Sequence, residues 1–317
     1  MTPPTDILER PMRAGENIAG ELAKRVSPAT VVLRDEPLAR HTTLRVGGPA
    51  DVYVEPASEA DLAAAVKCCG ARGVPFFVIG RGSNLLVRDG GFRGAVICLS
   101  HADFSKVEVD GVRLRCGAGA KLKNVAIEAR RHGLSGVEFL EGIPGSVGGA
   151  LRMNAGAMGG QTFDIVETVR WMDFYGGVRE AAPAEMQVKY RGCAALKNHI
   201  ALGAVFGCRP DSPESIAQRM SAFSQKRWAS QPAAPSAGCA FKNPPSIPAG
   251  RLIDELGLKG TRVGGAAVSR EHGNFIVNDG HATARDVLEL IEFLKRRAQK
   301  ERGIELQTEV EIIGEDR

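Results

Sequence analysis

GIPGSVGGALRMNAGAMGG, residues 142–160, crowds glycine and alanine around an isolated hydroxyl, Ser146, and an isolated amide, Asn154. Such a run suits backbone that passes directly over a large ligand, because without a Cβ the chain approaches closely and its N–H groups converge. An elaborate turn around buried backbone is the plainer explanation, and this stretch alone does not exclude it. It fits neither G-x-x-x-x-G-K-[ST] nor G-x-G-x-x-G after a strand with a downstream acid. A Walker or Rossmann site is therefore not expected, and a dinucleotide would have to be held in another way.

Working upstream, the strand PFFVIG runs into GRGSNLLV, residues 80–87, where glycines again flank a hydroxyl, Ser83, and an amide, Asn84. These groups suit a phosphate, although turns between a strand and the next element produce similar strings. Before it, Ser58 with Asp61 makes a capping-box-like start, and Leu62, Ala65, Val66 and Cys69 recur at helical spacing up to Gly73. Residues 1–20 are proline-rich and polar without a period, which predicts a mobile tail.

Downstream of residue 100, VEVDGVRLRCG turns at Asp110-Gly111 as a hairpin, and a helix is expected from Leu122 to His132, stopped by Gly133. IVETVRWMDFYGGVRE predicts a second hairpin at Gly176-Gly177, and IALGAVFGC another strand. Ser212 and Pro213 open a helix through Trp228, with Ile216, Met220 and Phe223 inward, and mark a domain boundary. A third unit follows, with a helix over 249–256, strands near 263–268 and 274–277, and a long helix from Ala284 to Arg302 capped by Thr283 and Asp286. The chain closes on a strand, ELQTEVEIIG. This order makes an α+β protein with no fixed-period repeat.

A chain of 317 residues is long enough for two or three domains, each with its own core. The 41 basic and 37 acidic residues are interspersed, so the net charge of +4 forms no stripe for nucleic acid. No basic leader precedes an apolar run and no long apolar span occurs, which predicts a cytoplasmic protein without a membrane partner. Seven cysteines without C-x-x-C spacing argue against a disulfide framework and a zinc site, and six histidines without H-E-x-x-H pairing add no metal motif. Cys68, Cys98, Cys116 and Cys208 lie in apolar stretches and are expected to be core thiols.

Three C-terminal stretches carry side chains with chemistry. KYRG, 189–192, reads as an ordinary surface turn. In ELQTEVEIIG, Leu306, Val310 and Ile312 form the apolar face, leaving Glu305, Glu309 and Glu311 to solvent. SAGCAFKNPP, 236–245, places Cys239 among small residues before Lys242, Asn243 and two prolines, a setting for either a structural thiol or an acid or nucleophile. The residues by themselves thus lead to a glycine-rich binder of an anion or dinucleotide, with its reactive centre open.

Taken together, TTLRVGG, GRGSNLLV, GIPGSVGG with NAGAMGG, KYRG, SAGCAFKNP and TEVEIIG, in that order from His41 to Gly314, resemble the UDP-N-acetylenolpyruvoylglucosamine reductase family of peptidoglycan precursor synthesis. The resemblance implies a flavin domain of the vanillyl-alcohol-oxidase (PCMH) type in two subdomains, 21–100 and 101–212. An α+β substrate domain at 213–302 would follow, with strand 303–317 a candidate to return to the first subdomain. It implies bound FAD, with NADPH and a UDP-sugar as small-molecule ligands of a monomer. Gly80, Arg81, Gly82, Ser83, Asn84, Gly142, Pro144, Gly145, Ser146, Gly149 and Asn154 would cradle the FAD. By the same resemblance Arg191 matches the active-site arginine, Glu309 its carboxyl partner and Cys239 the proton donor. Tyr190 and Asn243 match substrate contacts, and the short stretch after Arg191 matches the subgroup without an extra tyrosine-bearing loop. Where some members carry lysine this chain has Ser230, so the cation for the substrate's diphosphate would be Arg227 or Lys242.

One departure is chemical: the family's donor is usually serine. A free thiol titrates near ~8.5, far below a hydroxyl, so the exchange is expected to preserve proton donation and to add sensitivity to peroxide. An oxidase of the same flavin superfamily, or a non-catalytic flavin binder, is the alternative; the matches at 191, 239 and 309 argue against both.

Overall fold

The computed structural model describes residues 14–316. Strands β1 (Val31–Pro37), β2 (Pro49–Glu55), β3 (Phe76–Ile79), β4 (Leu85–Val87) and β5 (Phe92–Cys98) lie in the first third of the chain, and all but β4 join in one sheet ordered β1-β2-β5-β3. The β1–β2 pair is antiparallel, whereas β2–β5 and β3–β5 are parallel. Parallel pairing needs a crossover, and helix α2 (Glu59–Ala71) supplies it between β2 and β3. Ser58 caps this helix by accepting from the Asp61 N–H at 3.1 Å.

Helix α1 (Ala14–Arg25) occupies the last part of the segment expected to be a tail. Ile18, Ala19 and Leu22 are buried with Leu62 and Val66, and that apolar contact orders a stretch whose polar composition conceals it. Residues 1–13 lie outside the described residues.

The second subdomain is an antiparallel sheet of β6 (Val107–Asp110), β7 (Arg113–Gly117), β8 (Val166–Met172), β9 (Val178–Ala181) and β10 (Ile200–Gly207), ordered β9-β8-β10-β7-β6. Helix α3 (Leu122–Arg131) buries Leu122, Val125, Ala126 and Ala129 against it. The glycine run at 142–160 is not all loop, since helix α4 (Val147–Met153) lies within it. Helix α5 (Pro213–Ser230) buries Ile216 and Met220 in this same core, together with Leu114, Leu140 and Phe206. The helix therefore belongs by packing to the second subdomain, and the boundary expected at 213 falls after it. An apolar stripe shows that a helix is packed, not which core receives it.

The third unit pairs β11 (Ser236–Cys239), β12 (Arg262–Val263), β13 (Ala266–Val268) and β14 (Phe275–Asn278) in the order β11-β14-β13-β12, beside α6 (Ala249–Glu255) and α7 (Ala284–Arg302). Val287, Leu290, Ile291 and Leu294 of α7 are buried, each contributing on the order of 1.5–3 kcal/mol. This core also takes Leu44, Val46 and Leu86 from the first subdomain and Leu306 and Val310 from the C-terminal segment. The Asp89 carboxylate caps α7, accepting from Ala284 and Arg285 N–H at 2.9 Å each. The closing strand is shorter than its sequence predicts: only β15 (Glu311–Ile313) is strand, and it pairs in parallel with β4. Among the described residues no helix is long and apolar enough to cross a membrane.

Candidate active site

Three segments distant in sequence converge beside β15. The first is the two-residue turn Tyr190-Arg191 of the small hairpin that pairs Val188 with Cys193 and Lys189 with Gly192. Arg191 adopts a left-handed φ of 54°, a conformation that favours glycine, so a bulky residue here is held by its surroundings. Asn154, at 41° and also left-handed, is the peg beneath it. Its amide donates to Gln161 Oε1 at 3.1 Å and to the Lys189 carbonyl at 3.4 Å, and its oxygen accepts from Phe163 N–H at 3.1 Å. With both amide protons engaged, Asn154 supports the hairpin rather than offering that amide to a ligand. A Cβ on Gly156 would come within 3.4 Å of Arg191 Nη1, so the glycine run lies directly against the guanidinium.

The second segment carries Glu309, whose Oε1 accepts from Arg191 Nε at 2.8 Å. Both side chains are well covered, at 21% and 13% exposure, which overturns the solvent-facing reading for Glu309, while Glu305 is exposed as expected. Glu311, two residues on and on the same face, pairs with Arg152 of α4 at 2.6 Å. The polar face of the closing segment is thus met by two arginines of the second subdomain. Burial raises the Glu309 carboxyl above its usual range, and Arg191 and then Lys242 pull it back down. Lys242 therefore acts electrostatically on Glu309.

The third segment is the Cys239 loop, bound to Glu309 through its backbone: Glu309 N–H donates to the Ala240 carbonyl at 2.8 Å, and Lys242 N–H to Gln307 at 2.9 Å. Burial pushes the Cys239 thiol up to about 12, and the Glu309 charge adds to the rise while Arg191 opposes it. Arg191, Glu309 and Cys239 are therefore electrostatically coupled in one site. The thiol does not ionise near neutral pH, and the ease of ionisation expected from a free cysteine is corrected: this group holds its proton. Cys68, Cys98 and Cys116 are buried as expected, whereas Cys208 is only partly so.

The two glycine loops lie back to back. A Cβ on Gly80 would meet Ser146 Oγ at 2.4 Å, one on Gly145 would meet Ser83 Oγ at 3.4 Å, and one on Gly82 would meet the His41 carbonyl at 2.2 Å. Side chains are excluded there because the loops pack on each other, which brings their backbones and the Ser83 and Ser146 hydroxyls together. Ser146 is buried at 3% exposure, yet its hydroxyl caps no N–H of α4. These features fit a dinucleotide cofactor such as FAD. Asn84 has a different use, donating from Nδ2 to the Glu309 carbonyl at 3.2 Å, so the loop that reaches the cofactor also places the acid. Thr43, a residue not singled out from sequence, bridges Gly82 and Ser236: its hydroxyl donates to the Ser236 carbonyl at 2.6 Å and its N–H to Gly82 at 3.2 Å.

Of the expected substrate contacts, Tyr190 is exposed, with the Arg191 guanidinium 4.9 Å from its ring centroid. Arg227 has a buried Nε–H without a partner and lies against Gly142, a placement that leaves a donor for an anion. Asn243 spends its carbonyl oxygen on the first N–H of α6, at 3.0 Å, and is chiefly a helix cap.

Comparison with known proteins identifies the family. Residues 50–181 match the FAD binding domain family, and residues 231–313 match the UDP-N-acetylenolpyruvoylglucosamine reductase C-terminal domain. A UDP-N-acetylenolpyruvoylglucosamine reductase of Geobacter metallireducens is 45% identical over 289 residues, covering 90% of this chain and 95% of that protein. One from Heliobacterium modesticaldum is 46% identical, covering 89% and 91%. The crystal structure of the reductase from Thermus caldophilus superimposes with a TM-score of 0.78 at 41% identity, covering 90% of this chain and 99% of that one.

Proposed function

Because the chain belongs to the UDP-N-acetylenolpyruvoylglucosamine reductase family, we propose that Arg191, Glu309 and Cys239 are the groups that complete its reaction. The protein is an FAD-dependent oxidoreductase that reduces the enolpyruvyl group of a UDP-sugar, with NADPH as reductant. FAD, when bound, supplies the hydride relay between the nicotinamide and the enolpyruvyl double bond. Gly80, Gly82, Ser83, Gly145 and Ser146 would hold it, on the seam where the two loops meet.

Addition of hydride to the terminal carbon leaves negative charge on the carbon beside the substrate's carboxylate. Arg191, fixed by the Asn154 peg and by Glu309, is a preorganised cation for that charge, and a comparable donor elsewhere contributes ~2.7–4 kcal/mol. Glu309, its proton affinity raised by burial, accepts from the Arg191 Nε–H and holds the guanidinium in place. Cys239, protonated up to high pH, delivers the proton. Tyr190 and Arg227 would contact the UDP portion, Arg227 through its unpartnered Nε–H. The protein's two ligands are small molecules, NADPH and the UDP-sugar, and we infer that it works in the cytoplasm as a monomer.

The observation that carries the reading is the Arg191–Glu309 pair coupled to the Cys239 thiol. Cys239→Ala should leave reduction of the flavin by NADPH unchanged and slow its reoxidation by the enolpyruvyl substrate ~10²–10⁴-fold, the usual worth of a positioned acid. Cys239→Ser should retain most of the rate. Equal reoxidation in Cys239→Ala and the unaltered protein would sink the assignment.

A further inference from the structure

Asn274 is 2% exposed, and its polar atoms converge on the Cys239 loop. Its Oδ1 accepts from Phe241 N–H at 2.9 Å, its Nδ2 donates to the Phe241 carbonyl at 2.7 Å, and its backbone carbonyl accepts from Ala240 N–H at 2.8 Å. Asn274 N–H in turn donates to His272 Nδ1 at 3.1 Å, which fixes the turn before β14. On the opposite side the same short loop is bonded to Glu309 and Gln307. The loop between donor and acid is thus clamped from two directions. A register shift between Ser236 and Cys239 sets the cysteine opposite Phe275, next to this amide.

We propose that Asn274 is a positioning residue that holds the Cys239 loop and directs its second side-chain N–H to the donor sulfur. When Cys239 protonates the substrate carbon, the S–H bond breaks as the C–H bond forms, and the electron pair stays on sulfur. The resulting thiolate lies beside Glu309, whose charge opposes it. An amide proton aimed at the sulfur favours the charged form, because a hydrogen bond to a thiolate stabilises its charge. The thiolate recovers its proton from solvent before the next cycle. Phe241 occupies one amide proton and leaves the other for this use.

The inference rests on Cys239 as the donor, so its test separates the two ideas. Asn274→Asp is nearly isosteric and keeps the acceptor for Phe241 N–H, but it removes both side-chain N–H donors, the one on the Phe241 carbonyl included, and sets a carboxyl beside Cys239. Where the protein retains flavin and its reduction by NADPH, reoxidation by substrate should be slowed at least about tenfold, the loss of the donor to the sulfur and the added carboxyl acting in the same direction. In a Cys239→Ala background the same substitution should add no slowing. Equal slowing in both backgrounds overturns the role of Asn274 but leaves Cys239 in place, whereas a Cys239→Ala protein that reoxidises normally removes the premise itself. If the Asn274 variant does not fold, ¹⁵N-labelled protein with Asn274 untouched gives the answer. Cys239→Ala should move the Asn274 side-chain amide resonance, and an unmoved resonance overturns the proposal.

Discussion

Arg191–Glu309 and Arg152–Glu311 are the same pair of residue types, two positions apart on one face of the closing segment, and both reach across to the second subdomain. They differ in surroundings. Arg152 sits on α4, also donates to the Leu196 carbonyl at 2.9 Å, and lies 5.8 Å from the Phe77 ring centroid, so its bonds end within the protein fabric. Arg191 sits on a two-residue turn in a left-handed conformation, and its carboxylate partner acts electrostatically on a thiol. The first pair is a brace between subdomains. The second is held by other residues so that it can act on something else. Burial and neighbours, not the ion pair itself, make the difference.

The strongest way to break this comparison is Glu309→Gln, which leaves Arg191 without its carboxylate and should slow reoxidation of the flavin ~10²–10³-fold, read by rapid mixing. The thiol sharpens it next. With Cys239 raised from 9.0 to about 12, its thiolate fraction at pH 7 is ~10⁻⁵, so alkylation by iodoacetamide and inactivation by peroxide should be slow. Their rates should climb with pH without levelling near 9. A plateau near 8.5 would mean an ordinary exposed thiol. The sign for stability follows: the unfolded chain ionises first, so the contribution from the neutral buried thiol is complete below pH 9 and is lost as pH rises towards 12. Cys239→Ala should remove that alkaline loss in a denaturation series. The smallest effect is expected of Glu311→Gln: about 1 kcal/mol or less in urea unfolding, with reoxidation at the normal rate.

Local signals carried much of the fold. Helix α7 runs from Ala284 to Arg302 as its Thr283–Asp286 capping box and apolar stripe predict, and the Asp110-Gly111 turn made its hairpin. Strand β1 is not legible in the sequence because its side chains are mostly exposed and offer no alternation, and β2 is not because it is buried on both faces. Helix α4 was hidden by the two glycines in VGGALRM, where tertiary packing overrides poor propensity. The site was less legible. Arg191 and Glu309 are 118 positions apart, so each alone looked like surface, and only family resemblance joined them. Asn274 stayed unseen because EHGN reads as a turn, and its bonds go to residues 33 positions earlier.

The central claim, that one of two similar ion pairs belongs to the reaction and the other to the scaffold, is tested most directly by one anaerobic rapid-mixing measurement. Unaltered, Glu309→Gln and Glu311→Gln proteins would each be reduced with NADPH and then mixed with the UDP-enolpyruvyl sugar, following the return of flavin absorbance. The expected result is equal bleaching in all three and a return slowed ~10²–10³-fold in Glu309→Gln alone. A return equally slowed in both variants, or unchanged in Glu309→Gln, would contradict it.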